Sequence, residues 1–143
     1  MTQSMTETAT SEAPSPTPDI PARVRSAVAA ADGRKAEDLR VLHLGAVTSF
    51  TDYFILATGN SERQVEAIAD AIDGRLRSEG VRPLSSEGYG RGHWVLLDYG
   101  DFLVHVFTAD KREFYGLEKL WADAPNVTED FLPARVPPPI QGA

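Results

Sequence analysis

Cysteine is absent from all 143 residues. Disulfides and thiolate metal centres are thereby excluded, which fits a reducing compartment. No stretch approaches the roughly 20 apolar residues that a membrane-spanning helix requires. The N-terminus lacks an apolar run behind a positive charge, so no secretory signal is expected and the expected location is the cytoplasm. Basic residues are also scarce. Lys and Arg number 14 against 21 Asp and Glu, a net charge of −7 and a pI near 4.9. Free-standing nucleic-acid binders usually show the opposite balance, so direct sequence-specific nucleic-acid recognition is not expected. Between Lys35 and Asp123 carboxylates still outnumber basic side chains, so the acidity belongs to the folded part and not only to the tails. Such a charge serves solubility, and it also draws a protein toward a basic surface.

The signatures of common catalytic sites are missing too. There is no Gly-x-Ser-x-Gly elbow and no P-loop lysine. The three histidines, His43, His93 and His105, lack the close spacing of metal ligands. Thr58-Gly59-Asn60-Ser61 has the look of a strand end running into a helix N-terminus, where backbone N–H groups can hold a phosphate. A metal-dependent nucleotidyltransferase built on such a corner needs nearby paired carboxylates, and no Asp-x-Asp or Asp-x-Glu follows. Asp98 and Asp101 are the remaining candidates for a magnesium ion, yet they flank a turn, where Asp serves local hydrogen bonding. The expectation is therefore no catalytic residue, no metal and no cofactor, with a phosphate-binding or nucleotidyltransferase enzyme as the alternative.

What the sequence does contain is a regular pattern between two polar ends. Residues Met1 to Asp19 are rich in Thr, Ser, Glu and Pro and read as a disordered tail. The stretch from Pro125 to Ala143, with Pro137-Pro138-Pro139, reads as a second, Pro-rich tail. The domain expected between them covers residues 20–124. Ile20, Val24, Ala27, Val28 and Ala31 recur at helical spacing before Gly33. Leu39 to Leu44 reads as a strand. Tyr53 to Thr58 is apolar on both alternating faces and so predicts a central, doubly covered strand. Ser61 with Gln64 forms a capping-box pattern ahead of the apolar stripe Val65, Ile68, Ala69, Ile72 and Leu76, and Gly80 closes that helix. Val81 to Leu84 reads as a short strand that completes a right-handed crossover with Tyr53 to Thr58. A glycine-rich loop, Ser85 to Gly92, leads to strands Trp94 to Leu97 and Phe102 to Phe107, joined by a turn in which Gly100 takes positive φ. Lys111 to Ala122 predicts one helix or two short ones. The fold class is α/β, a mixed sheet of about five strands with helices against it.

One segment, Trp94 to Asp101, has a face to spare. On a strand Trp94, Leu96 and Asp98 share one side, and Val95, Leu97 and Tyr99 the other. If Val95 and Leu97 belong to the core, an aromatic ring, a leucine and a carboxylate stand on the opposite surface, a combination suited to a protein partner. Such an apolar face also invites pairing of two copies of the chain, so a homodimer is a further expectation.

Read together, several ordered blocks resemble the ribosomal silencing factor family, also called Iojap-like. They are Thr51-Asp52-Tyr53-Phe54-Ile55-Leu56-Ala57-Thr58-Gly59-Asn60-Ser61-Glu62-Arg63-Gln64, Glu87-Gly88, Trp94-Val95-Leu96-Leu97-Asp98-Tyr99-Gly100-Asp101, Val104-His105-Val106-Phe107, Arg112-Glu113-Phe114-Tyr115 and Leu117-Glu118-Lys119-Leu120-Trp121. Each block is weak alone, but their order and spacing are specific. The resemblance implies a non-catalytic repressor of translation on a nucleotidyltransferase-like fold that lacks the catalytic carboxylates. It implies binding to the large ribosomal subunit through large-subunit ribosomal protein fourteen. On the same resemblance, that contact is expected to block subunit joining when nutrients are scarce. By family analogy the contact surface carries Trp94, Leu96 and Asp98, extended to Glu87, Asp101 and Tyr115.

Overall fold

The computed structural model describes residues 19–91 and 93–132. Residues 1–18 of the expected N-terminal tail (1–19) and residues 133–143 of the expected C-terminal tail (125–143) lie outside the described residues. Helix α1 spans Ile20–Gly33, with the Asp19 carboxylate accepting from the Ala22 N–H at 2.9 Å and Pro21 in the first turn. Strand β1 is Glu37–His43 and β2 is Tyr53–Gly59. Helix α2, Glu62–Ser78, starts at Ser61, whose hydroxyl accepts from the Gln64 N–H at 3.1 Å. The Gln64 side chain completes the box one residue early, accepting from the Asn60 N–H at 2.6 Å.

The α2 helix ends in a Schellman motif. Val81 N–H reaches back to the Leu76 carbonyl and Gly80 N–H to the Arg77 carbonyl, with Gly80 at φ +83°. This is why Val81 to Leu84 is not the strand the sequence predicts. Val81 plugs the helix end, Pro83 lacks a donor, and β pairing begins only at β3, Ser85–Glu87. Strands β4, Trp94–Asp98, and β5, Phe102–Thr108, form the hairpin. Its turn has Gly100 at φ +83° and the Asp98 carboxylate accepting from the Gly100 N–H at 2.8 Å. Gly116, at φ +57°, divides the next stretch into α3, Ala109–Tyr115, and α4, Leu117–Leu120.

The five strands lie in the order β1-β2-β5-β4-β3. Pairing is antiparallel except between β2 and β5, which run parallel with Tyr53 opposite Phe102 and Gly59 opposite Thr108. The crossover through α2 therefore lands at the far edge of the sheet, not beside β2, and the β4–β5 hairpin folds back into the gap. Composition explains the placement. Phe102, Val104, Val106 and Phe107 are fully buried, as a central strand must be, whereas Ser85-Ser86-Glu87 is exposed and suits an edge.

Helices α1 and α2 cover one face of the sheet. Val24, Val28, Ile68, Ile72 and Leu76 meet Ile55, Val95, Leu97, Val104 and Val106 there. On the opposite face Leu42, Leu44, Phe54, Leu56 and Phe107 form a smaller cluster under Leu117, Trp121 and Ala124. The folded unit also extends beyond Ala124. Asn126 bridges to Leu42, the Thr128 hydroxyl accepts from the Val41 N–H at 2.9 Å, and Phe131 of α5, Thr128–Phe131, joins the core against Tyr53. No helix among the described residues is long and apolar enough to cross a membrane.

Candidate partner-binding surface

The alternation of β4 decides which of its faces points outward. Val95 and Leu97 are completely buried beneath the helices, while Trp94, Leu96 and Asp98 are half-buried on the other side. The small helix α4 and the Trp121 turn cap that side over β1, β2 and β5, leaving the β4–β3 end more open. There the Trp94 ring meets Phe107 at 5.9 Å and the Tyr115 ring of α3 at 4.3 Å.

A shallow cavity of about 270 Å³ opens at this place, lined by Glu87, Gly88, Arg91, His93, Trp94, Leu96, Lys111 and Tyr115. The fold thus brings together Glu87, Trp94, Leu96 and Tyr115, which are distant in sequence. Glu87 reaches the cavity because it stands opposite Leu96 in the β3–β4 ladder. Asp98 shares the face of Trp94 and Leu96 but lies outside the cavity, with its carboxylate occupied by the Gly100 N–H. Asp101 is directed elsewhere, forming an ion pair with Arg23 of α1 at 3.3 Å.

Sequence reasoning did not single out Arg91, Lys111 or His93 as neighbours of Trp94. Lys111 comes from α3, whereas Arg91 lies in, and His93 directly follows, the glycine-rich loop before β4. That loop is tied to α2 by the Glu66 carboxylate, which accepts from the Gly90 N–H at 2.8 Å, and by the approach of His93 Nδ1 to the Glu62 carboxylate at 3.0 Å. Gly88 permits the approach. At φ +91°, a Cβ on it would sit 1.9 Å from the Trp94 carbonyl oxygen, a separation no side chain tolerates.

Two polar groups stabilise the floor and flank of this face. Trp94 Nε1–H donates to His105 Nδ1 at 3.1 Å. His105 is buried on β5, and desolvation pushes its pKa down to about 4, so the ring is neutral at ordinary pH. Farther along, the buried Arg112 guanidinium donates to both oxygens of Glu118, at 3.0 and 3.1 Å, to the Thr58 hydroxyl at 2.8 Å and to the Asp38 carbonyl at 2.6 Å. Asp38 sits in a β-bulge at φ +51°, the distortion that aims its carbonyl at Arg112. These bonds hold the Glu118 carboxyl below its usual range, with the Arg112 hydrogen bond the main cause.

The corner at Thr58-Gly59-Asn60-Ser61 is engaged in structure. The Asn60 and Gln64 N–H groups serve the helix cap, the Thr58 hydroxyl accepts from Arg112, and a Cβ on Gly59 would lie 2.8 Å from the Val65 nitrogen. Among the described residues, no group of three or more His, Asp or Glu converges as a metal site would require.

These features define an α/β protein that presents a half-open aromatic cleft on one face of a mixed sheet. The chain belongs to the ribosomal silencing factor family: the family model described as "Ribosomal silencing factor during starvation" matches residues 17–141. It is 43% identical to the ribosomal silencing factor RsfS of Bacillus subtilis over 76% of this chain and 92% of that protein. It is 35% identical to the chloroplastic Iojap protein of Zea mays over 71% of this chain and 44% of that one. A crystal structure of a Chromobacterium violaceum protein superposes with a TM-score of 0.72 at 37% identity, covering 73% of this chain and 88% of that one. A second, from Bacillus halodurans, gives 0.65 at 41% identity, covering 73% and 94%. The family description and the name of the Bacillus subtilis relative describe a regulatory role, the silencing of ribosomes, rather than an enzymatic one.

Proposed function

We propose that this protein represses translation by docking on the large ribosomal subunit through large-subunit ribosomal protein fourteen, and so keeps the two subunits apart. The observation that carries this reading is the cleft of Trp94, Leu96 and Tyr115 beside Glu87, on the sheet face that α1 and α2 leave open. Aromatic anchors in a small concavity are the usual centre of a protein–protein contact. The net charge of −7 over the whole chain suits a basic ribosomal protein and disfavours exposed RNA. A murine relative, 29% identical, is named for the assembly of the mitochondrial ribosomal large subunit, which supports the choice of subunit. Silencing of this kind is steric and needs no reaction, in the cytoplasm where the subunits meet. Asp98 extends the docking face along β4, whereas Asp101, paired with Arg23, contributes through the turn alone.

The test is co-sedimentation with purified large subunits, combined with a subunit-joining assay on sucrose gradients. Trp94→Ala is expected to weaken binding by at least about tenfold, and Glu87→Arg by a similar factor, through loss of an anchor and reversal of a charge. Both variants should then permit subunit joining. Undiminished sedimentation of both would sink the site. A homodimer through the same face would compete with docking, and sedimentation velocity across protein concentration reads it directly.

A further inference from the structure

Trp94 faces Phe107 across the β4–β5 ladder, and Leu96 faces His105. Trp94 and His105 are therefore diagonal neighbours on one side of the sheet, which brings the indole N–H to His105 Nδ1. An indole N–H only donates, so Nδ1 is the bare acceptor and the single proton of the neutral ring sits on Nε2. Nε2 is buried and has no hydrogen-bond partner. Buried polar groups are nearly always paired, so an orphan at this position calls for a reason. Phe54 and Phe107 flank the ring, an environment in which leucine or phenylalanine would leave nothing unpaired on the histidine side. What histidine supplies and they do not is an acceptor for Trp94.

We propose that His105 is the positioning residue of the docking surface. Resting on the docking reading above, its Nδ1 fixes the Trp94 indole in one orientation between the sheet and Tyr115. The cleft over Leu96 and Glu87 is then formed before the partner arrives. Preorganisation of this kind spares the ordering cost that binding would otherwise carry. It also sets the chemistry of the contact. With its only donor satisfied from within, Trp94 offers the partner a ring and no hydrogen bond. The group that meets it is aliphatic or cationic, not a hydrogen-bond acceptor. Aromatic rings of Phe54, Trp94 and Phe107 surround His105, and burial is the cause that keeps its ring neutral. The bond therefore persists across ordinary pH.

Three substitutions separate positioning from packing. His105→Phe keeps an aromatic ring and removes the acceptor, and His105→Leu does the same where the larger ring fails to fold. His105→Asn restores an acceptor, because its amide oxygen stands two bonds from Cβ, as Nδ1 does. In ¹H–¹⁵N spectra of the full chain, the wild-type His105 ring should show the Nε2–H tautomer. The Trp94 indole resonance should move in the Phe or Leu variant while that of Trp121 stays. Affinity for purified large subunits should fall by about tenfold in those variants, the loss expected for one hydrogen bond. It should recover in His105→Asn, with thermal unfolding showing all tested variants folded. Wild-type affinity in a folded Phe or Leu variant, or an indole resonance indifferent to the substitutions, would overturn the proposal. If Trp94→Ala itself bound normally, the docking reading would fail, yet the indole signature would still report whether His105 holds Trp94.

Discussion

Three histidines look alike in the sequence and occupy quite different environments in the fold. His43 stacks on Tyr53 at 4.9 Å, His93 is exposed beside Glu62, and His105 is buried against Trp94. His105 carries a strongly depressed pKa, from desolvation. The sign of its effect on stability follows. In the unfolded chain the imidazole takes up a proton as pH falls through about 6.5, whereas in the fold it resists until about 4. The contribution of His105 to stability is thus complete above pH 6.5 and declines between about 6.5 and 4, by about 3 kcal/mol in all. Urea unfolding midpoints measured across that window should fall with acidity, and His105→Asn should remove that part of the slope. The depressed Glu118 carboxyl acts with the same sign at lower pH, since its stabilisation is lost as pH falls through its folded value. Nothing in the neighbouring residues marks which histidine is buried, because burial depends on β4 and β2 lying on either side of β5.

At the scale of elements, local signals carried far. The Ser61 cap and the Gly80 stop act over a few residues and stand where the pattern places them, and the Asp19 cap and the Gly116 break, seen in the fold, are equally local. Two elements went against their local reading. Val81 to Leu84 looks like a strand because Val and Leu flank it, but Val81 is consumed by the α2 cap. The stretch after Pro125 looks like a tail because prolines and acids dominate it, yet Phe131 packs against Tyr53 at 5.4 Å and under Arg25. A single aromatic residue in a polar context anchors the segment. Phe131→Ala is expected to destabilise the protein by about 3 kcal/mol, as truncation of a buried ring does. It should also expose Thr128, whose hydroxyl holds the β1 edge. Chemical denaturation gives the first quantity, and amide exchange at Val41 the second.

At the scale of the whole molecule, charge and cleft act together. The net charge of −7 reaches beyond any contact distance, whereas the Trp94 cleft acts only on touch. On the docking reading the first governs the approach and the second the residence. Raising monovalent salt from about 0.05 M to about 0.3 M should therefore slow association with large subunits severalfold and change dissociation little. Trp94→Ala should do the reverse, leaving the association rate nearly intact and speeding dissociation. Binding kinetics on immobilised large subunits distinguish the two. Arg91 and Lys111 at the cavity rim temper the local field, so the steering comes from the chain as a whole and not from the cleft.

The sequence by itself determined the secondary structure periods, the caps, the two-sided apolarity that makes β2 central and the ordered blocks that resemble the silencing factors. All of these are encoded within a few residues of one another or in their spacing. It also narrowed the proposed docking surface to the Trp94–Asp101 strand and turn, because one of its faces had no evident core to meet. The tertiary structure alone decided that the crossover strand lies at the far edge, that Asp101 turns to Arg23 and away from Trp94, and that Glu87, Arg91, Lys111 and Tyr115 gather around the indole. Strand order and register set these neighbours, and both depend on pairings between residues far apart in the chain. The Trp94–Asp101 strand and turn thus bound the search, while the sheet's closure chose which of its side chains share a cleft and joined Trp94 to His105.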